Sequence, residues 1–138
     1  MMDQFKPTVL VVEDDDGIRN LIVTILRLSG MDARDCADAD EAENLMAMHG
    51  DSIQLLVTDV NLGPDMSGIE LALGLRNTYR RLEVLYVSGL VDEAQVAKEV
   101  IAGKAHFLPK PFTPKTLISK VTGILAGRFH LVASGQVA

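Results

Sequence analysis

Three runs of almost unbroken apolar and β-branched residues punctuate the chain: "TVLVV" at 8–12, "IQLLVT" at 53–58 and "EVLYVS" at 83–88. A strand covered by helices on both faces has no polar side to alternate with, so runs of this kind read as central strands. Two weaker segments complete a set of five: "DARDCA" at 32–37, whose polar alternation suits a sheet edge, and "HFLP" at 106–109, just before Lys110.

Helical patterns fill the gaps. Ile18, Leu21, Ile22, Ile25 and Leu28 fall on one stripe that stops at Gly30. Asp38 or Asp40 can cap "EAENLMAMH" before Gly50, and Ser67 with Glu70 forms an S-x-x-E capping box for "GIELALGLRNTY". "DEAQVAKEVIA" ends at Gly103, and Thr113 followed by Pro114 opens "KTLISKVTGIL". The expected fold is therefore α/β, a (βα)5 doubly wound parallel sheet with right-handed crossovers and helices on both faces. In such folds ligands bind beyond the carboxyl ends of the strands, where the strand order reverses.

Composition narrows the function classes. At 138 residues, with 48% hydrophobic and 23% charged residues, the chain matches one folded domain. A net charge of −6 without a dense Lys/Arg run argues against direct nucleic-acid binding or an anionic membrane surface. The single cysteine, Cys36, forms no internal disulfide, and no Cys/His spacing resembles a zinc site, so a reducing, cytoplasmic setting is expected. "LIVTILRLSG", the longest apolar-rich stretch, falls far short of the ~20 residues that span a bilayer, and "MMDQFKPT" lacks the pattern of an export signal. Residues 128–138, "RFHLVASGQVA", show no periodicity and read as a tail or linker stump after a domain at 1–127.

Polar residues collect where the fold would bind a ligand. Glu13 and Asp14 follow the first strand, Asp59 the third and Lys110 the fifth, while Ser88 ends the fourth. Taken singly, each has an ordinary reading as a loop, cap or surface residue. Together they occupy corresponding ends of four strands that the sheet brings side by side. Asp15 and Asp16 differ, because carboxylates at a helix start cap free N–H groups and oppose the positive dipole end.

Like charges ~4 Å apart repel by about 4 kcal/mol at an effective dielectric near 20, so Glu13, Asp14 and Asp59 need neutralising. A hard divalent cation such as Mg2+, bound through carboxylate and carbonyl oxygens, does this and bridges readily to phosphate. Asp59 is then a candidate nucleophile for a phosphoryl group, with Lys110 and Ser88 placed to stabilise the phosphoryl oxygens.

With these residues in view, the chain resembles the receiver domain of two-component response regulators over about residues 7–127. The resemblance rests on "VVEDD", "LLVTDVNLGPDMSG", "VLYVSG" and "FLPKPF", in that order and at domain-scale spacing. It implies a flavodoxin-like sheet of order 2-1-3-4-5 and a phosphorylation-dependent signalling switch rather than an enzyme. By position it makes Asp59 the phosphoacceptor and Glu13, Asp14 and the Asn61 carbonyl, with Asp59, the Mg2+ ligands. Lys110 would contact the phosphoryl group and Asp59. Ser88 matches the switch hydroxyl, Phe107 the aromatic that rotates inward, and Pro111 the proline often preceded by a cis bond. The implied partners are a sensor histidine kinase or histidine phosphotransfer protein, and a downstream protein or a second copy. In the family the downstream protein or second copy reads the surface around the fourth helix, fifth strand and fifth helix, which here carries Lys98, Lys104, Lys115 and Lys120.

Two other classes compete. A phosphatase of the haloacid-dehalogenase type also uses an aspartyl nucleophile, but it needs a second Asp two residues on as general acid, where this chain has Asn61. A binder of flavin mononucleotide needs hydroxyls and N–H groups after the first strand, where "EDDD" repels a phosphate. Within the receiver pattern, "NLGPDMSG" is one residue longer than usual, Phe107 lacks a hydroxyl, and Leu90 is apolar where several relatives position water with a polar group. Leu90 predicts slow self-dephosphorylation: the phosphorylated protein should outlast a Leu90→Glu variant, and equal decay rates would overturn this.

Overall fold

Parallel pairing joins β1 (Thr8–Val12), β2 (Asp32–Cys36), β3 (Ile53–Thr58), β4 (Glu83–Ser88) and β5 (His106–Pro109) into one sheet of order β2-β1-β3-β4-β5. The intervening helices are α1 (Asp16–Leu28), α2 (Ala39–His49), α3 (Gly68–Thr78), α4 (Ala94–Ile101) and α5 (Pro114–Ser134), with a short 3-10 turn at Gly50–Ser52. The computed structural model describes residues 6–64, 66–89 and 94–134, so Asp65 and Leu90 lie outside the described residues.

The three unbroken apolar runs are the three inner strands, and the polar "DARDC" and the short "HFLP" are the edges. Alternate strand residues feed two cores. Val9, Val11, Leu55, Val57, Leu85, Val87 and Leu108 pack with Ile22 and Leu26 of α1 and Leu117 and Val121 of α5. On the other face Leu10, Val12, Leu56, Val84 and Tyr86 meet Met46 of α2, Ala72 and Leu75 of α3, and Val96 of α4. Each fully buried Leu contributes about 1.5–3 kcal/mol, so both faces anchor the strands firmly. Among the described residues, no helix is long and apolar enough to cross a membrane.

The helix starts follow from side chains that answer free N–H groups. Asp15 caps α1 by accepting the Ile18 N–H at 2.9 Å. Of the two candidates for α2, Asp38 is the cap, accepting the Glu41 N–H at 2.9 Å. The Ser67–Glu70 capping box opens α3. At α5 a threonine pair does the same: the Thr116 N–H donates to Thr113 Oγ1 at 3.1 Å, and the Thr113 N–H donates to Thr116 Oγ1 at 3.0 Å. Gly30, at φ +90°, follows the Ser29 C-cap of α1 in a conformation that side chains resist. α5 continues to Ser134, so the helix enters the stretch 128–138 that shows no apolar period.

The loop after β3 is closed by an antiparallel bridge between Asn61 and Ser67, and the Gly68 N–H donates to the Val60 carbonyl at 2.7 Å. This brings the first residue of α3 hard against the end of β3. A Cβ on Gly68 would lie 1.9 Å from the Asp59 carbonyl oxygen and 2.9 Å from Thr58 Oγ1. Backbone cannot yield as a flexible side chain can, so Gly68→Ala should cost about 1–3 kcal/mol in urea denaturation. Gly74→Ala, with nothing within 4 Å of its added carbon, should be neutral or stabilising in the same assay.

Candidate functional site

The sheet order reverses at β1, which lies between β2 and β3, and the two acidic strand ends meet there. The Glu13 N–H donates to the Cys36 carbonyl and the Asp59 N–H to the Val12 carbonyl, both at 3.2 Å, so the ladder continues one residue past the strands and fixes both backbones. Across the sheet the Lys110 N–H donates to the Ser88 carbonyl at 2.9 Å, and the Lys110–Pro111 peptide is cis.

These anchors bring the side chains together. Lys110 Nζ donates to Glu13 Oε1 at 2.9 Å and to Asp59 Oδ2 at 2.8 Å. Carboxylate oxygens of Glu13, Asp14 and Asp59 all lie within 4.8 Å of one another. The Glu13 side chain is 1% exposed, Asp59 12% and Lys110 19%, while Asp14 opens to solvent.

Remaining acceptor positions are filled locally. The Asp15 N–H donates to Glu13 Oε2 at 3.2 Å, and the Asn61 N–H donates to Asp59 Oδ1 at 3.0 Å. The Arg19 guanidinium donates to the Glu13 carbonyl at 2.9 Å and to Asp35 Oδ2 at 3.2 Å, which ties α1 and β2 to the same corner. Thr58, fully buried, donates its hydroxyl to the Asp59 carbonyl at 2.9 Å. The acidic run therefore divides between Asp14 and Asp15: the first pair turns to the site and the second begins α1.

Electrostatics follow from this packing. Burial pushes the Glu13 carboxyl up and the Asp59 charge adds to it, while the bonds from Lys110 and the Asp15 N–H only partly offset the rise. Burial alone would lower Lys110, yet its bonds to Asp59 and Glu13 outweigh that and hold it above its ordinary value. With their oxygens no more than 4.8 Å apart, Glu13 and Asp59 repel by at least about 3 kcal/mol at an effective dielectric near 20. One ammonium facing three carboxylates leaves two formal negative charges uncompensated. A set of hard oxygen donors with that surplus fits a hard divalent cation.

Ser88, 1% exposed, ends β4 on the same face as Tyr86, and Phe107, partly buried, packs beside that face as the register partner of Tyr86. Sequence reasoning placed Lys110 against Asp59 and did not foresee its second bond to Glu13. It also missed Tyr86, whose hydroxyl donates to Glu99 Oε1 at 3.0 Å with both residues buried. One signal was available: Glu99 stands three residues after the buried Val96, a carboxylate on the inward stripe of α4.

Comparison with known proteins gives the family of the chain. The response regulator receiver domain family matches residues 9–122. The chain is 35% identical over 118 residues to the sensor kinase CckA of Brucella abortus, covering 86% of this chain but 12% of that protein. It is 32% identical over 120 residues to a chemotaxis protein CheY homologue of Campylobacter jejuni, covering 85% of this chain and 91% of the relative. Among solved structures, NtrX from Brucella abortus superposes with a TM-score of 0.82 at 26% identity, over 97% of this chain and 30% of that one. The sheet order, the strand-end carboxylates and these likenesses converge: the chain belongs to the response regulator receiver domain family and is a phosphorylation-dependent signalling switch.

Proposed function

We propose that Asp59 is the phosphoacceptor and that Glu13, Asp14, Asp59 and the Asn61 carbonyl hold Mg2+ beside it. The observation that carries this is the Lys110 ammonium bonded to Glu13 and Asp59 at once, with the third carboxylate within reach. When bound, the ion supplies the missing positive charge and draws electron density from the phosphoryl oxygens.

A carboxylate oxygen of Asp59 attacks the phosphorus of a phosphohistidine or of a small acyl phosphate. The P–N or P–O bond to the donor breaks, its electron pair leaves with the donor, and an acyl phosphate forms on Asp59. Lys110, already 2.8 Å from Asp59 Oδ2, moves its hydrogen bond to a phosphoryl oxygen, and the Ser88 hydroxyl donates to another. Hydrolysis returns the carboxylate: water oxygen attacks phosphorus, the bond to Asp59 breaks, and inorganic phosphate leaves.

The dianionic group draws Ser88 inward and vacates space that Phe107 enters from its half-buried position on β5. The change reaches the face of α4, β5 and α5, where Lys98, Val100, Ile101, Lys104 and Lys115 are exposed and Lys120 is half-exposed. A downstream protein or a second copy reads this face, and a histidine kinase or phosphotransfer protein supplies the phosphoryl group. The protein acts in the cytoplasm, in keeping with its free, buried Cys36. The signalling unit spans 1–127, with 128–138 as tail or linker, in keeping with Leu125 as the last buried side chain described in α5.

Incubation with a small acyl phosphate and Mg2+ should add one phosphoryl mass to the intact protein, and none when Mg2+ is chelated or in Asp59→Asn. Equal gain in that variant would defeat the assignment. Turnover of a phosphate ester without a stable phosphoprotein would favour the phosphatase class instead.

A further inference from the structure

Tyr86 is fully buried, and its hydroxyl donates to Glu99 Oε1 at 3.0 Å, with Glu99 itself 7% exposed. A carboxylate with so little water is stable only when it is well hydrogen-bonded, so this contact ties α4 to the sheet, alongside the packing of Val96. Its location matters more than its strength. Tyr86 lies two residues before Ser88 on β4, hence on the same face, and its register partner on β5 is Phe107. Val96 of α4 and Ala105 before β5 belong to the same packed cluster. One ring therefore adjoins the site hydroxyl along the strand, the switch aromatic across the sheet, and α4 through a hydrogen bond.

We propose that the Tyr86–Glu99 hydrogen bond is a latch that holds α4 in the position of the unphosphorylated protein and that the switch must release. This rests on the reading of Asp59 as phosphoacceptor. Close-packed interiors have no spare volume, so a Phe107 ring moving inward on this face presses on the Tyr86 ring. The Tyr86 hydroxyl is held 3.0 Å from its acceptor, and hydrogen bonds fail within about half an ångström of further stretch. The ring can shift only by breaking the bond, which frees α4 from this restraint, or by carrying α4 with it, and in both cases α4 is no longer held in its resting position. Tyr86 and Glu99 are thus positioning residues, acting on the surface that includes Val100 and Ile101 without touching the phosphoryl group.

Three proteins test this: wild type, Tyr86→Phe and Glu99→Gln, the last keeping a carbonyl acceptor for the Tyr86 hydroxyl. Without phosphodonor, amide hydrogen exchange at 94–101 should be about tenfold faster in Tyr86→Phe, with α1 and β1 unchanged and Glu99→Gln close to wild type. With acyl phosphate and Mg2+, the phosphorylation rate of Tyr86→Phe, read by intact mass, should rise by a similar factor, because less of the protein is held in the resting form. Unchanged exchange at 94–101, faster exchange throughout the fold, a Glu99→Gln variant that behaves like Tyr86→Phe, or an unchanged phosphorylation rate would each overturn the latch. Failure of the underlying reading is separately visible as wild-type protein that gains no phosphoryl group.

Discussion

A single ammonium, Lys110 Nζ, closes the polar end of this molecule by reaching Glu13 at 2.9 Å and Asp59 at 2.8 Å. Those partners are 97 and 51 residues away in sequence, so the contact exists only when β1, β3 and β5 end at one level. The dependence is mutual. Glu13 is 1% exposed, and a carboxylate stripped of water and of its cation costs about 3–5 kcal/mol, so the fold holds that charge only with the lysine in place. Yet one cation cannot satisfy the group. Glu13 stays raised because burial, with the Asp59 charge, outweighs the bonds from Lys110 and the Asp15 N–H, while three carboxylates facing one ammonium leave a surplus of negative charge.

Rigidity at the site is inherited from the strands beneath it. Val9 to Val12, Leu55 to Val57 and Val84 to Val87 are all at most 1% exposed, so no inner strand can slide without opening a cavity on one face. The ladder runs on through the backbone of Glu13 and Asp59, and the Asn61–Ser67 bridge with Gly68 packs the following loop against Asp59. Both Asp59 oxygens are thereby engaged in the resting molecule, one by the Asn61 N–H and one by Lys110. If Asp59 takes a phosphoryl group as proposed, the lysine, on a flexible stem, can re-aim its bond more easily than the Asn61 backbone can.

Much of this was legible in the sequence, for identifiable reasons. The five strand cores coincide with their apolar or alternating runs because burial on two faces or one leaves a composition that little else produces. Asp15, Ser67 and Thr113, and Asp38 as one of two candidates with Asp40, marked helix starts because a cap is a local bond, fixed by residues three apart. What stayed hidden was partner choice across the sheet. Periodicity assigns Tyr86 and Glu99 to a face but says nothing of which buried oxygen meets which hydroxyl, and strand ends bring Lys110 near two carboxylates without choosing between them. The end of α5 was hidden for the opposite reason: residues 128–134 are helical without any apolar stripe to announce it.

Among the described residues the buried polar or charged side chains are Glu13, Thr58, Ser88 and Glu99, and the Tyr86 hydroxyl meets the last of them. All belong to the strand ends of the site or to the route from it to α4. Apolar contacts change gradually as side chains shift, whereas a buried polar group either finds its partner at hydrogen-bond distance or loses it at a large cost. A row of such groups through an apolar core therefore has few allowed arrangements, well separated in energy. A change of charge at one end, at Asp59 on the reading proposed above, would select among those arrangements and not along a continuum, which is the physical requirement for a switch rather than a graded response.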